Sequence, residues 1–203
     1  MLEQSVRPLY QKCLVDPLAR RITHKIGPLP VTLLSGACGL LFIPAIILNY
    51  PLIAIGFLLI SGYCDTLDGT LARLQNSTSS LGTVFDIMMD RLVEFSVILG
   101  LYLVAPEERS LAIILMLGSI LLCITSFLVV GIFTPNDSQK SFHYSPGLME
   151  RAEAFIFFIL MTILPQYFIL LAFLFTFLVS LTAVIRLKQF MKAQTADSKI
   201  TLF

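Results

Sequence analysis

The sequence is poor in charge: Asp, Glu, Lys and Arg make up 13% of its 203 residues, whereas the hydrophobic class makes up 57%. A soluble globular domain carries about 25% charged residues, so a water-soluble α/β enzyme is disfavoured. The four cysteines form no Cys-x-x-Cys pair, which argues against a disulfide framework or a zinc site. Repeats, low-complexity tracts and Gly/Ser linkers are also missing. With a mean hydropathy of +0.87, these absences indicate a single membrane domain over residues 1–203.

Six apolar stretches follow residue 30, and each approaches the roughly twenty residues that cross the hydrocarbon of a bilayer. They cover residues 31–50, 52–74, 83–105, 110–134, 147–164 and 166–187. The sequence therefore predicts an all-α polytopic membrane protein with a six-helix bundle over 31–187 and a cytoplasmic tail over 188–203.

Lysine and arginine are scarce in the three connections that this count places outside, which hold only Arg109. Most basic residues lie near the two ends of the chain: Arg7, Lys12, Arg20, Arg21, Lys25, Arg186, Lys188, Lys192 and Lys199. The positive-inside rule then predicts that both termini are cytoplasmic. Residues 1–30 also carry apolar positions three or four apart, which predicts an N-terminal juxtamembrane amphipathic helix. A leading helix that docks on the rest of the protein is the alternative.

Acidic residues are concentrated in the second and third apolar stretches. Five of the 13 carboxylates fall within thirty residues: Asp65, Asp68, Asp86, Asp90 and Glu94. An unpaired acid in hydrocarbon costs several kcal/mol, and only Arg73 and Arg91 are cations close in sequence. A metal ion is the natural remaining partner.

Helical spacing places these acids on two faces. At 100° per residue, Asp65 and Asp68 lie about 60° apart on one helix, and Asp86 and Asp90 about 40° apart on the next. The short connection 74–81 predicts antiparallel neighbours whose acidic faces meet near the cytoplasmic boundary. Four carboxylates favour Mg²⁺ or Mn²⁺ over zinc and suffice for two ions. Such a pair would bind a pyrophosphate.

Small residues stand among the acids, at Gly69, Ala72 and Gly82. Glycine inside a helix costs about 1 kcal/mol, so each glycine calls for a reason. A ligand that approaches the backbone is one reason, and tight helix packing of the small-xxx-small kind is the other.

The acids and small residues together form Asp65-x-x-Asp68-Gly69-x-x-Ala72-Arg73, then eight residues, then Gly82-x-x-x-Asp86-x-x-x-Asp90. This pattern resembles the signature of the CDP-alcohol phosphatidyltransferase family (class I), and the six-helix count resembles that family too. The resemblance implies transfer of a substituted phosphoryl (phosphatidyl) group from a CDP-linked donor, usually CDP-diacylglycerol, to an alcohol, with release of CMP. It also implies a homodimer.

The resemblance assigns roles to the matched positions. It implies that Asp65, Asp68 and Asp86 bind two divalent ions, and that Asp90 deprotonates the acceptor hydroxyl while also facing the metals. The residues it implies for the cytidine and phosphate pocket are Gly69, Ala72, Arg73 and Gly82. A guanidinium such as that of Arg73 can bind phosphate bidentately.

The family often opens its first span with Pro-Asn-x-x-Thr, which residues 28–32 resemble with leucine in place of asparagine. Thr32 is therefore a candidate CDP-binding residue. The alternative is that its hydroxyl bonds back to its own helix.

The loop over 135–151 is the predicted location of the acceptor-binding residues, and its candidates are Lys140 and Arg151. Two cations there suit a phosphorylated acceptor such as glycerol 3-phosphate or inositol phosphate. Alternatively they fix the topology, with Glu150 and Glu153 pairing Arg151. This loop resembles a bacterial branch of the family, which implies a bacterial inner membrane with a cytoplasmic active site.

Two other functions are weighed against this one. An intramembrane prenyltransferase also binds Mg²⁺ and pyrophosphate through aspartates, but it has about nine spans. A cation channel or transporter would distribute its acids along a path through the bilayer, whereas here they lie at one end of one helix pair. We expect membrane lipids as partners and no nucleic acid.

Overall fold

The structure is a computed structural model that describes residues 9–134 and 147–200, with side chains described to residue 194. Within these ranges all regular elements are helical, which confirms the all-α prediction. They are a π-helical turn Gln11–Val15, α1 Asp16–Ile22, α2 Pro28–Ile47, α3 Pro51–Leu74, α4 Ser80–Val104, α5 Pro106–Phe133, α6 Arg151–Ile163, a 3₁₀ turn Pro165–Tyr167 and α7 Phe168–Ile200.

Local sequence explains where these helices begin and end. Prolines stand at the first positions of α2, α3 and α5, where the missing N–H breaks no intrahelical bond. Ser79 caps α4 by accepting a bond from the Gly82 N–H at 3.1 Å. Asn49 and Asn76 follow α2 and α3 with φ of 60° and 49°, a left-handed conformation that asparagine tolerates at helix ends.

Four helical segments of the described chain are long and apolar enough to cross a membrane: Pro28–Ile47, Pro51–Leu74, Pro106–Phe133 and Pro165–Gln194. The other two predicted spans are also helices. However, α4 carries four charged residues between positions 86 and 94, and α6 has only 13 residues. The integral membrane character is therefore shown, while the count of six spans stays a prediction.

Helix α2 is the scaffold for the two acid-bearing helices. It packs extensively against both α3 and α4, whereas α3 and α4 contact each other sparsely. Helices α3 and α4 are therefore neighbours, as expected, but they touch each other at few positions. Ser35 on α2 donates a hydrogen bond to the Ser61 carbonyl on α3 at 2.9 Å. On the other side, a Cβ on Gly39 would lie 2.6 Å from Val93 Cγ2 of α4, so only glycine allows this approach.

Helices α5 and α7 form the second closely packed pair. Arg109, at the first turn of α5, is 6% exposed. Its Nη1 donates to the Leu101 carbonyl of α4 at 2.7 Å, and its guanidinium lies 4.3 Å above the Phe168 ring of α7. One arginine thus joins three helices at the end of the bundle away from the acids.

The N-terminal segment docks on the bundle. Val15 and Ala19 are fully buried in a cluster with Val31, Cys64 and Leu71. Leu14 and Leu18 are exposed on the same segment. The docked helix, given above as the alternative, is therefore present in the described residues, and a lipid-facing role stays a prediction.

Candidate active site

Three aspartates from two helices meet at the ends of α3 and α4 that their short connection joins. One carboxylate oxygen from each of Asp65, Asp68 and Asp86 lies within 4.8 Å of the other two. The predicted convergence of the two acidic faces is therefore present. Three anionic oxygens at this separation suit a hard divalent cation.

The donor set has a further feature that fits a metal. Asp68 is 4% exposed, and its Oδ2 has no hydrogen-bond partner among the described residues. A buried carboxylate oxygen without a partner is strongly unfavourable unless a cation or another donor approaches it. Asp65 and Asp86 supply the neighbouring oxygens.

Asp90 lies beside this group and is joined to it by Arg151. The Arg151 Nη1 pairs with Asp65 and also donates to Asp90 Oδ1. Arg151 begins α6, 61 residues beyond Asp90, so sequence proximity could not reveal this partner. Glu150 and Glu153 form the capping box of α6, and their suggested pairing with Arg151 stays a prediction beside its contacts with Asp65 and Asp90.

Of the two cations expected to compensate the acids from nearby in sequence, Arg91 does so, whereas Arg73 has a threonine partner. Arg91 Nη2 lies 2.8 Å from Glu94 Oε1 and 3.9 Å from Asp90 Oδ2. Arg73 Nη2 donates to Thr70 Oγ1 at 3.1 Å. Most of the positive charge at the aspartates therefore comes from Arg151 rather than from Arg73.

An open cleft of about 1090 Å³ adjoins the acids. The predicted site residues that line it are Thr32, Asp65, Asp68, Gly69, Ala72, Arg73, Gly82, Asp86, Asp90 and Arg151. Lys140 lies outside the described residues. The cleft also has an apolar part, to which Phe175 and Val179 of α7 contribute.

The two motif glycines lie on the cleft wall, each with one near side-chain neighbour. Within the described chain, the one neighbour that a Cβ on Gly69 would meet is Arg73 Nη1 at 3.6 Å, and for Gly82 it is Ser79 Oγ at 3.3 Å. Within the described residues no other helix lies within 4 Å of either would-be Cβ, so packing among these helices does not account for the two glycines. The backbone here is instead accessible to a ligand in the cleft.

Thr32 bonds to its own helix, since its hydroxyl donates to the Pro28 carbonyl at 3.2 Å. This is the alternative given for it above. Its place on the cleft wall leaves contact with a ligand as a prediction.

Arg186 is a cleft residue that the sequence analysis treated only as a topology signal. It lies within the long apolar helix α7 and is 7% exposed. Its Nη1 donates to the Cys123 carbonyl at 3.0 Å, and its guanidinium lies 5.1 Å from the Phe127 ring centroid. An arginine inside an apolar helix is a functional candidate by itself, and that signal could have found it.

Comparison with known families decides the identity of this fold and site. The family model described as CDP-alcohol phosphatidyltransferase matches residues 26–185. The chain belongs to the CDP-alcohol phosphatidyltransferase family. It is therefore an enzyme that transfers substituted phosphate groups, as the signature around Asp65 and Asp90 predicts.

Three other proteins are similar to this chain. The chain is 32% identical to inner membrane protein YnjF of Escherichia coli over 176 residues, which cover 82% of each chain. It is 27% identical to the phosphatidylinositol phosphate synthase of Corynebacterium glutamicum over 150 residues, 70% of this chain and 66% of that one.

The third similar protein has solved structures. The phosphatidylinositol phosphate synthase of Mycobacterium tuberculosis with CDP-DAG bound superposes with a TM-score of 0.70 at 19% identity, covering 87% of this chain and 93% of that one. Its complex with manganese and citrate gives a TM-score of 0.71 at 18% identity, with 88% and 89% covered. At this identity the likeness shows a common fold.

Proposed function

We propose that this CDP-alcohol phosphatidyltransferase transfers the phosphatidyl group of CDP-diacylglycerol to a phosphorylated alcohol and releases CMP, in phospholipid biosynthesis. The convergence of Asp65, Asp68 and Asp86 on one cleft carries the proposal. Gly69 and Gly82 leave the cleft wall open beside these acids, and apolar residues of α7 line its other part. A nucleotide pyrophosphate with lipid tails has this combination of polar and apolar parts.

Two divalent ions, Mg²⁺ or Mn²⁺, fit the acidic end of the cleft. We assign Asp65, Asp68 and Asp86 as their ligands, with Asp90 facing the same ions. The unpartnered Asp68 Oδ2 supports the assignment, as does the manganese complex of the mycobacterial relative. When bound, such ions neutralise charge that develops on the departing CMP.

Asp90 is assigned as the general base. Its carboxylate accepts the proton of the acceptor hydroxyl, the hydroxyl oxygen forms a bond to the phosphatidyl phosphorus, and the bond from that phosphorus to CMP breaks. Arg151 holds Asp90 beside Asp65, so the base stays next to the metal ligands. A positioned base contributes about 10²- to 10⁴-fold.

The nucleotide half of the donor is assigned to the other wall of the cleft. Gly69, Ala72 and Gly82 would line the cytidine, and Arg73 would contact phosphate. Thr32 stands on the same wall. The guanidinium of Arg73 lies at the end of α3 where its long side chain can reach into the cleft.

Two arginines favour a phosphorylated acceptor over a neutral alcohol. Arg151 and Arg186 both line the cleft, and Arg151 Nη2 has no hydrogen-bond partner within the described part of the chain. Guanidinium groups bind phosphate strongly in a site with little water. Glycerol 3-phosphate and inositol 1-phosphate are acceptors of this class, and Lys140 is a further candidate to contact them.

The membrane arrangement completes the proposal. We assign six spans to the chain, with both termini and the active site on the cytoplasmic side of a bacterial inner membrane, and the similarity to inner membrane protein YnjF supports this location. A homodimer and a lipid-facing surface on the N-terminal segment belong to the same proposal. Membership of the family removes the support for the prenyltransferase and cation-transporter alternatives.

The test is CMP release by detergent-purified protein with CDP-diacylglycerol and Mg²⁺. Glycerol 3-phosphate, inositol 1-phosphate, inositol, serine, choline and ethanolamine are offered separately. CMP release that depends on one of the two phosphorylated acceptors is the expected result. Release with a neutral acceptor alone would overturn the acceptor class, and no release with any of the six would contradict the donor and acceptor assignments together.

A further inference from the structure

A chain of hydrogen bonds links the N-terminal segment to the nucleotide wall of the cleft. Gln11 Nε2 donates to Thr70 Oγ1 at 2.7 Å and to Asp16 Oδ1 at 2.8 Å. Arg73 Nη2 donates to the same Thr70 oxygen at 3.1 Å. Gln11 lies outside residues 26–185, which match the family model.

Thr70 is saturated by these contacts. Thr70 is only 5% exposed, and its hydroxyl donates a hydrogen bond to the Thr66 carbonyl at 2.9 Å. A hydroxyl has one proton to donate and two acceptor sites, and Gln11 and Arg73 occupy both of the latter. Because the proton is committed to Thr66, the Thr70 oxygen is fixed in orientation and so is each donor bonded to it.

The segment that carries Gln11 is held at both ends. Val15 and Ala19 are fully buried against the bundle. At the far end, Gln75 Nε2 donates to the carbonyls of Thr23 and Ile26 at 2.5 and 2.8 Å. The two glutamines are thus comparable tethers, but only Gln11 shares a partner with a cleft residue.

We propose that Gln11 is a positioning residue for the CDP nucleotide site, acting through Thr70 to hold the Arg73 guanidinium at the cleft. This inference rests on the proposed function, because it takes Arg73 as the phosphate contact of the donor. Arginine has a long side chain with several rotamers, and fixing one nitrogen before the ligand arrives lowers the entropy lost on binding. Removing the Gln11 amide empties one of the two acceptor sites on the Thr70 oxygen, so the Arg73 guanidinium can move between both sites instead of being held at one.

The experiment measures the dissociation constant of CDP by isothermal titration calorimetry, with Mg²⁺ and the full-length protein in detergent. Gln11→Ala and Thr70→Val should each weaken CDP binding about three- to tenfold, the effect of one lost positioning hydrogen bond. The matched control is Gln75→Ala, which removes the other tether of the same segment and should change binding by less than about twofold.

A double-mutant cycle separates positioning from simple docking. In the Arg73→Ala background, Gln11→Ala should have no further effect on CDP binding, since the group that it positions is gone. Additive losses, an equal loss in Gln75→Ala, or full binding by Arg73→Ala would each overturn the inference.

The failure of this inference and that of the proposed function give different results. If the wild-type protein binds CDP but releases no CMP from CDP-diacylglycerol, the proposed reaction is wrong. The double-mutant cycle on CDP binding still tests the positioning role of Gln11 in that case. If the wild-type protein binds no CDP, the donor site itself is wrong and the positioning role is overturned with it.

Discussion

The contact between α2 and α4 predicts that Gly39→Ala disables the enzyme from outside the cleft. A Cβ at this position would lie 2.6 Å from Val93 Cγ2 and 3.1 Å from Val93 Cα, short of ordinary contact at 3.4 Å. Val93 is fully buried, so its methyl group has no free space to turn into. The two helices must therefore separate by about 0.3 to 0.8 Å.

That displacement moves catalytic groups. Val93 lies one helical turn beyond Asp90 and two turns beyond Asp86, so α4 carries both acids away from the α3 acids when it shifts. A misplacement of about 1 Å can cost about 100-fold in rate. We expect kcat to fall roughly tenfold to 100-fold. Overpacking lowers the free energy of unfolding by about 1–3 kcal/mol. The higher helix propensity of alanine offsets about 1 kcal/mol of this loss, so the protein should stay folded.

The assay is kcat for CMP release at saturating donor and acceptor, together with the thermal unfolding midpoint. Gly118→Ala is the matched control, because no described atom beyond its chain neighbours and local helix backbone lies within 4 Å of its would-be Cβ; it should keep full activity. Val93→Ala combined with Gly39→Ala removes the blocking methyl group and should recover part of the rate. Wild-type kcat in Gly39→Ala alone would refute the reasoning.

Three further predictions concern the cleft. Asp90→Asn should lower kcat by at least about 100-fold while CDP binding is retained, and turnover near the wild-type rate would remove Asp90 as the base. Arg186→Gln should raise the KM for the phosphorylated acceptor about tenfold or more. The control is Arg109→Gln at the other end of the bundle, which removes a buried arginine and should lower the unfolding midpoint but leave that KM unchanged. Equal effects of the two substitutions on KM would show that Arg186 does not belong to the acceptor site. Chelation with EDTA should stop CMP release, and Mg²⁺ or Mn²⁺ should restore it; activity that survives chelation would contradict the metal assignment.

Local patterns in the sequence predicted much of the fold and the acidic half of the site. Apolar stretches located the helices, because the length of a span depends on adjacent residues. The helical period placed Asp65 with Asp68 and Asp86 with Asp90. These features need no knowledge of how distant segments pack.

Long-range contacts could not be predicted in the same way. Arg151 reaches Asp65 and Asp90 from another helix, and nothing near it in sequence indicates those partners. Likewise, the docking of Gln11 on Thr70 joins residues 59 apart. The length of α6 also departs from the expected span over 147–164, because α6 begins only at Arg151 and ends at Ile163, ahead of Pro165.

The most direct test of the central claim is the ratio of CMP released to phosphatidyl product formed. Purified protein is incubated with CDP-diacylglycerol, Mg²⁺ and the active acceptor, and mass spectrometry measures both products over time, with Asp86→Asn as the inactive control. We predict equal amounts of CMP and of the acceptor-linked lipid. CMP without that lipid would show hydrolysis rather than transfer. If neither CMP nor the lipid is formed, the result contradicts the account.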